Sequence, residues 1–412
     1  MKITSLYVYP IKSLRGISLQ QAHITPRGVQ YDRHFILYEE VVPAPSSSPS
    51  QTENNKSARQ PPILKKIQLD SHPKSALFEQ TLDQKSKTVD VRFLGPSLPA
   101  DDDDDDDDGA HSPAENGEKN QIRKKNLITV PLEPDVSSLK PISADLHGSA
   151  ARAYEMGEGY DAWFSARFGV KVKLVYIGDG KRAVLGETLP PPPRTTAEEG
   201  EAQTQTQNTE ASGSGSGSGS GKGWLSTLTS LVTGPARAES VNQKVTAAGP
   251  WLTFTDVAPL LVASESSLED VSARLPEENR PMPMYKFRPN VVVDGRGEAA
   301  WAEDFWAELT VESSADPGGK LHRLSMTGNC VRCISLNVDY ETGRPAEGEM
   351  GNVLKKLMKD RRVDAGSKWS PVFGRYGFPP LDDEEGFVIS VGDEVQVAKR
   401  NADRTVWDWP GL

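Results

Sequence analysis

The chain has 412 residues, of which 36% are hydrophobic, and this length predicts two domains rather than a single core. The formal net charge is −11, but the eight consecutive aspartates at Asp101–Asp108 carry most of it. The rest of the chain is close to neutral and lacks the general basic field of a nucleic-acid-binding protein, so we expect no nucleic-acid partner.

The segment Met1–Ser13 alternates polar and apolar residues from its third position, which predicts a first strand of the fold. It has neither the apolar block of a signal peptide nor the Arg-rich helix of a transit peptide. No stretch approaches the roughly 20 apolar residues that span a bilayer, so we expect no transmembrane segment. The chain has only two cysteines, which provide no disulfide framework. These features together predict a cytoplasmic protein.

Short runs rich in β-branched and aromatic residues recur along the chain and are bounded by Gly, Pro or Asp, which predicts strands. In chain order they are ITSLYVYPI, RHFILYEE, TVDVRFLG, VKVKLVYIG, NVVVDG, CISLNVDY and EGFVISVGDEVQVAKR. Helical patterns are fewer, namely YDAWFSARFG, EDFWAELT and MGNVLKKLMKDRR. Many strands with few helices predict a mainly β fold with some α, built from β-barrel domains.

Three segments are too poor in apolar residues to offset the entropy of ordering, so we expect disordered insertions there. They cover residues 42–57, about 99–122 and 179–246. The resulting domain prediction is an N-terminal domain at 1–178, a linker at 179–246, a second domain at 247–400 and a tail at 401–412. Within the linker, GWLSTLTSLVTG has the apolar spacing of a short helix, which is either transient or a docking element.

Both cysteines lie in one motif, CVRC, at Cys330 and Cys333. A zinc site would need two further ligands, and the sequence has no second cysteine pair and no closely spaced histidine pair. A thioredoxin-like dithiol would open a helix, whereas ISLNVDY after this motif is strand-like. Two buried small side chains, or one thiolate ligand to a soft redox metal, remain as interpretations.

Cationic and polar residues recur near turns and strand ends, in YPIKS, YDRHF, FRPN and around the CVRC motif. If they converge in space, they would bind a polyanion through bidentate guanidinium contacts and a lysine charge. They are Lys12, Ser13, Arg33, Arg288, Asn290 and Arg332.

Nine segments in order resemble the MOSC family, in its arrangement of an N-terminal MOSC β-barrel domain (1–178) followed by a MOSC domain (247–400). The segments are YPIKSLRGI, YDRHFIL, ARQPPIL, TDVAPLLVASESSL, FRPNVVVDG, WAEDFWAEL, CVRCISLNVDYETG, SPVFGRYG and ISVGDEVQV. Within that family the sequence is similar to the mitochondrial amidoxime-reducing components. This resemblance spans nearly the whole chain outside the three insertions.

The resemblance implies a bound molybdenum cofactor, with Cys333 as the metal ligand and catalytic residue and Cys330 nearby but off the metal. A thiolate is a soft ligand that suits this metal. In the family, the two positions after Asp256 usually carry hydroxyl groups, whereas here they are Val257 and Ala258. The implied cofactor-binding residues are Lys12, Ser13, Arg33, Asp256, Arg288, Asn290, Arg332 and Tyr376.

The implied activity is reduction of N-hydroxylated compounds, such as amidoximes and hydroxylamines, by removal of the oxygen atom at a Cys-ligated molybdenum. The implied electron donors are a b-type cytochrome and its NADH-dependent flavoprotein reductase. The alternatives are a molybdenum cofactor or sulfur carrier without turnover of its own, and a non-enzymatic interaction protein. The resemblance also offers the mitochondrial outer surface as a second location.

The helical pattern MGNVLKKLMKDRR bears on the cytochrome. As a helix, this segment would carry five cationic residues on the face opposite its apolar stripe. That face would either attract an acidic cytochrome or be the ordinary solvent-exposed side of a helix that packs on the core. These residues are Lys355, Lys356, Lys359, Arg361 and Arg362.

Overall fold

The computed structural model describes residues 1–42, 62–96, 126–186, 250–316 and 318–412. Strands hold 39% of the described residues and helices 18%, so the predicted mainly β fold class is confirmed. The predicted insertions lie almost entirely outside the described residues, as does the segment GWLSTLTSLVTG. None of the described helices has the length and apolar character needed to cross a lipid bilayer.

The described strands are numbered in chain order. They are β1 Ile3–Val8, β2 Ile17–Leu19, β3 Gln21–Thr25, β4 Gly28–Val29, β5 Phe35–Val41, β6 Ile63–Lys66, β7 Phe78–Asp83, β8 Thr88–Phe93, β9 Leu127–Pro131, β10 Lys140–Leu146, β11 Ser149–Glu155, β12 Val172–Tyr176, β13 Arg182–Ala183, β14 Trp251–Leu252, β15 Leu260–Ser264, β16 Val291–Val293, β17 Trp306–Glu312, β18 Leu321–Val331, β19 Val338–Asp339, β20 Arg344–Pro345, β21 Val372–Phe378, β22 Phe387–Ser390 and β23 Glu394–Arg400.

The described α-helices are α1 Glu158–Phe168, α2 Glu265–Ala273 and α3 Val353–Leu357. Short 3-10 helices join several of the strands. They are Pro73–Leu77, Val136–Ser138, Glu277–Asn279, Met284–Phe287, Ala302–Phe305, Ile334–Asn337 and Gly348–Asn352.

The largest sheet has eight strands, in the order β2-β1-β16-β15-β21-β18-β17-β23. Lys2, directly before β1, forms an isolated bridge with Glu394 of β23, so the second strand in this order also contacts the last one. In β1, alternation buries Leu6 and Val8, and a register shift between Ile3 and Ser5 buries Ile3 on the same side. All three join a core with residues of β15 to β18 and β23. The first strand of the chain is therefore built into a sheet whose other long strands all come from the second half.

A second core lies among the five-stranded sheet β10-β11-β12-β5-β6, the three-stranded sheet β7-β8-β9 and α1. Aromatic side chains dominate it. The ring of Phe78 stacks on Phe168 at 4.8 Å and meets Trp163 of α1 edge-on at 5.9 Å. These two cores hold the loops that form the site.

The helix of YDAWFSARFG is confirmed by α1, whereas one other local prediction is wrong and two are confirmed only in part. Residues Ile334–Asn337 form a 3-10 helix instead of continuing a strand, because Leu336 turns into the core with Phe373. In EDFWAELT only the first part is helical, and Trp306 begins β17. The third helical pattern forms only Gly348–Asn352 and the five residues of α3.

Arg361 is also not part of an exposed cationic face. It is buried and donates two hydrogen bonds to the Asp304 carboxylate, at 2.8 and 2.9 Å. Lys356 pairs with Glu349 at 2.5 Å. Lys355, Lys359 and Arg362 are the exposed members of the set.

The start of the predicted disordered linker, which was placed at residue 179, is in fact folded. Arg182–Ala183 pairs with Trp251–Leu252 across the segment outside the described residues. The Arg182 side chain is fully buried, so the folded unit extends beyond residue 178.

Candidate functional site

Loops from both cores surround a cavity of about 120 Å³. Lys12 and Ser13 follow β1, Arg33 precedes β5, and Asp256 lies between β14 and β15. The lining is Lys12, Ser13, Arg33, Gln68, Leu69, Asp70, Asp256, Leu261, Phe287, Arg288, Cys330, Val331, Arg332, Cys333, Ser335 and Tyr376. Eight of the nine predicted site residues are in this lining. The roles assigned to them stay predictions.

Asn290 is the predicted residue outside the lining. Its side-chain oxygen accepts hydrogen bonds from the Leu261 amide at 3.1 Å and from Arg33 Nη1 at 3.4 Å. Its side-chain nitrogen donates to the carbonyl of Tyr7. Asn290 therefore joins β1 to β15 and orients the guanidinium of Arg33 without facing the cavity.

Two arginines of the lining flank the ring of Tyr9. The guanidinium carbons of Arg33 and Arg288 lie 4.5 and 4.4 Å from the ring centroid. The electron-rich ring faces stabilise both cations in a place where water is scarce. Arg33 also pairs with buried Asp32, and both arginines have a left-handed backbone, with φ of 52° and 55°. Such conformations are uncommon outside glycine and often mark functional positions.

A chain of polar contacts leads away from Lys12. Its ammonium lies 2.5 Å from Oδ1 of Asp256, and Nε2 of His147 lies 3.1 Å from the same oxygen. Burial lowers the pKa of Lys12 to about 8, an effect that the Asp256 charge partly offsets. Burial also raises the pKa of Asp256, but the Lys12 charge and the His147 hydrogen bond outweigh it and leave that pKa well below its usual range.

Arg182 supports the loops that carry Asp256 and His147. Its guanidinium is buried and donates only to backbone carbonyls, those of Leu146, Ser149, Thr253 and Thr255. These bonds tie the turn after β10 to the segment after β14. Arg182 is therefore a structural clamp behind the cavity.

The two cysteines differ sharply. Cys330 is buried at the end of β18, where its thiol accepts a hydrogen bond from Arg332 at 2.9 Å and donates to the Tyr376 hydroxyl at 3.2 Å. Burial, with the neighbouring Cys330, raises the pKa of Tyr376 well above its usual range, so the phenol keeps its proton. Cys333 is exposed at the start of the next 3-10 helix, and its thiol contacts Ser335 at 3.1 Å. Only the second thiol is open to a ligand.

The donors around the cavity fit an anionic cofactor. Four cations line it against two carboxylates, Asp70 and Asp256. Nη2 of Arg288 and Nε of Arg332 are buried and have no hydrogen-bond partner among the described residues. Buried donors are normally paired, so unpaired ones at a cavity favour a bound acceptor. Among the described residues, no cluster of three or more His, Cys, Asp or Glu side chains is arranged to hold a metal ion.

A larger open hollow of about 960 Å³ lies on β8, β9 and the start of α1. Among the described residues its lining includes Phe93, Leu127, Ile128 and Tyr160 and no thiol or carboxylate. This hollow therefore has fewer side chains suited to catalysis or metal binding than the smaller cavity.

Several residues of the site were missed by sequence reasoning. A lone histidine in a turn, a tyrosine in a strand-like run and an arginine in an apparent linker carry no local signal of a site. The apolar residues that line the cavity also have the same sequence pattern as ordinary core residues. The missed residues are Tyr9, Lys66, Gln68, Leu69, Asp70, His147, Arg182, Leu261, Phe287, Val331 and Ser335.

Comparison with known proteins identifies the class. The model of the MOSC N-terminal beta barrel domain matches residues 1–109, and that of the MOSC domain matches residues 250–396. Together these matches cover more than half of the chain. The protein therefore belongs to the MOSC-domain family, with the N-terminal barrel and MOSC domain in succession.

Individual relatives are named mitochondrial amidoxime-reducing components. Component 1 of Mus musculus is 34% identical over 143 residues, covering 34% of this chain and 37% of the relative. Component 1 of Homo sapiens is 32% identical over 148 residues, covering 35% and 38%. Component 2 of Homo sapiens is 33% identical over 124 residues, covering 30% and 33%. The similarity thus spans 33% to 38% of the length of these relatives.

Proposed function

We propose that this protein binds the molybdenum cofactor and reduces N-hydroxylated compounds, such as amidoximes and hydroxylamines, by oxygen-atom removal. The observation that carries the proposal is the exposed Cys333 thiol, which shares one cavity with Lys12, Arg33, Arg288 and Arg332. Family membership and relatives with amidoxime-reducing names support the same activity.

In this proposal the cations bind the anionic part of the cofactor, and Cys333 is the metal ligand and the catalytic residue. Unpaired donors of Arg288 and Arg332 are set to bind phosphate or ring oxygens. A thiolate is the soft ligand that molybdenum favours. When bound, the cofactor supplies the two-electron chemistry, and the protein provides binding, orientation and exclusion of water.

The remaining lining residues have simpler roles. The apolar side chains of Leu261 and Phe287 exclude water from one wall of the cavity. The Tyr376 hydroxyl keeps its proton and remains a hydrogen-bond donor. Buried Cys330 holds Arg332 and Tyr376 in place beside Cys333 without binding the metal.

Electrons would come from a b-type cytochrome and its NADH-dependent flavoprotein reductase. The exposed residues Lys355, Lys359 and Arg362 on and after α3 are a candidate docking surface for an acidic cytochrome. Charge reversal at Lys355 and Lys359 should slow reduction by the cytochrome and leave reduction by dithionite unchanged. An unchanged cytochrome rate would show that this face is only solvated.

We also propose a cytoplasmic location, which the two free thiols support. Cell fractionation with antibody detection tests it. Recovery with the mitochondrial outer membrane would favour the alternative location.

One experiment tests the function. The protein is produced in a host that makes the cofactor, molybdenum and pterin are measured per chain, and benzamidoxime reduction is assayed with a chemical reductant. Metal with turnover supports the enzyme. Metal without turnover supports a cofactor or sulfur carrier, and absence of both supports an interaction protein.

A further inference from the structure

His147 lies in the two-residue turn between β10 and β11, yet its side chain belongs to the site. His147 and Gly148 both have positive φ, 58° and 78°, and the flanking residues Leu146 and Ser149 are paired. Tight hairpin turns of this kind favour Asn, Asp or Gly at the first position. A histidine there is uncommon, and it reaches across to Asp256 in the other half of the chain.

The contacts of the imidazole define its tautomer. The Lys66 ammonium lies 2.9 Å from Nδ1, and an ammonium can only donate, so Nδ1 accepts and carries no proton. Nε2 then carries the proton and donates to Oδ1 of Asp256 at 3.1 Å. Burial lowers the pKa of His147, and with the charges of Lys12 and Lys66 it outweighs the raising effect of Asp256, which keeps the ring neutral.

Asp256 is consequently held by one oxygen only. Lys12 and His147 both bind Oδ1, and Oδ2 accepts no hydrogen bond from the described residues. The carboxylate side chain is 40% exposed where it borders the cavity, whereas Lys12 is 5% exposed. The site therefore has an ionised, oriented acceptor with an open oxygen.

We propose that His147 is a positioning residue, which holds Oδ1 of Asp256 with Lys12 so that Oδ2 accepts a hydrogen bond from an N–H or O–H group of a ligand. The inference rests on the proposed function for the nature of that ligand. N-hydroxylated compounds carry such donors, and so does the pterin ring of the cofactor. A hydrogen bond to a charged acceptor changes binding by roughly tenfold or more.

The turn itself does not depend on the imidazole. The backbone carbonyl of His147 accepts a hydrogen bond from the Trp409 indole at 2.9 Å, and Arg182 holds the carbonyl of Leu146. His147→Asn keeps a residue that tolerates positive φ but cannot span the distance to Asp256. His147→Gln restores reach and an N–H donor.

The first test needs no cofactor. Nitrogen-15 NMR of the imidazoles in the purified protein should show His147 as the neutral Nε2–H tautomer near pH 7, assigned by its loss in His147→Asn. Lys66→Met removes the donor to Nδ1 and a positive charge, so the pKa of His147 should rise while Nε2–H stays on Asp256. A protonated ring or an Nδ1–H tautomer in the wild type near pH 7, or an Nδ1–H tautomer in Lys66→Met, would each overturn the proposal.

The second test measures the pKa of Lys12. Without His147, Asp256 interacts with Lys12 alone, so competitive acetylation should show a raised pKa of Lys12 in His147→Asn and a restored value in His147→Gln. His23→Asn is the matched control, because His23 bonds to the Glu385 carbonyl away from the cavity and should leave Lys12 unchanged. An unchanged pKa of Lys12 in His147→Asn contradicts the positioning role.

Kinetics and metal analysis of the cofactor-loaded His147→Asn variant then show whether Oδ2 of Asp256 binds the substrate or the pterin. A rise of roughly tenfold in KM for benzamidoxime with normal molybdenum content assigns Oδ2 to the substrate. A fall in molybdenum and pterin per chain assigns it to the cofactor, and no change in either overturns the proposal. If the wild type has no turnover, the proposed function fails, while the NMR and acetylation results still decide the role of His147.

Discussion

The ammonium of Lys12 lies 2.5 Å from the carboxylate of Asp256, although the two residues are 244 positions apart in the chain. Lys12 follows the first strand and Asp256 precedes β15, and both strands flank β16 in the same sheet. The charge of the cavity therefore depends on a contact between the two halves of the protein.

Anion binding in this cavity should weaken as the pH rises through about 8. Burial lowers the pKa of Lys12 from 10.5 to about 8, so above that pH the folded protein holds a neutral amine where an exposed lysine would still be charged. Isothermal titration with inorganic sulfate, which does not itself titrate here, measures the effect from pH 6.5 to 9. Lys12→Met should bind sulfate weakly with no step near pH 8. A flat profile in the wild type would contradict the expectation.

The two cysteines should respond differently to substitution. Cys333→Ala removes the exposed thiol and should abolish molybdenum retention and turnover, whereas Cys330→Ala removes a buried contact of Arg332 and Tyr376 and should keep both. Metal analysis and benzamidoxime assays check this. In the folded apoprotein, iodoacetamide should modify Cys333 first. Equal losses from both alanine variants would overturn the ligand assignment.

Tyr9 should contribute to stability through its ring more than through its hydroxyl. Tyr9→Phe leaves the Pro289 carbonyl without its 3.1 Å partner and should cost about 1 kcal/mol in the free energy of unfolding. Tyr9→Leu also removes both cation–π contacts and should cost about 2 kcal/mol more. Urea unfolding of the two variants gives the comparison. Equal destabilisation would mean that the ring does not stabilise the two arginines.

Glu303 should make the protein less stable as the pH rises from about 4.5 to 7. Its carboxyl is fully buried, and this burial raises its pKa to about 7 despite a 2.7 Å hydrogen bond from Ser267. The unfolded chain releases this proton at lower pH than the folded protein, so unfolding becomes easier across that window, by about 3 kcal/mol in total.

Glu303→Gln removes this titration and should abolish the corresponding fall in stability. The measurement is the difference in unfolding free energy between the variant and the wild type at pH 5 and pH 8, which cancels the contribution of other groups. If the difference is the same at pH 5 and pH 8, the pKa of Glu303 is not raised in the folded protein.

Strands were predictable where burial alternates or is continuous over a short run, as in β1, β8, β16 and β23. Prediction was wrong at Ile334–Asn337, because β-branched composition says nothing about Leu336 turning into the core after Cys333. It was also wrong for Arg361, since its partner Asp304 is 57 positions away. Local patterns do not contain such pairings.

Much of the candidate site could be proposed from motifs and family resemblance, including the four cations and Cys333. His147, Tyr9 and Arg182 were not found, because each acts through side chains or carbonyls that only the folded chain brings near. Asn290 was predicted to bind the cofactor; its amide lies outside the cavity lining, where it orients Arg33.

The amino-acid sequence by itself determined the β-rich character, the class of protein and the residue types, cations and thiols, that are available for the proposed cofactor. These follow from local apolar spacing and short motifs. Only the tertiary structure decided which thiol is exposed, which nitrogens of Arg288 and Arg332 have no partner among the described residues, and which histidine holds Asp256. Those properties depend on strand pairing such as β1 with β16 and on burial, which join residues hundreds of positions apart.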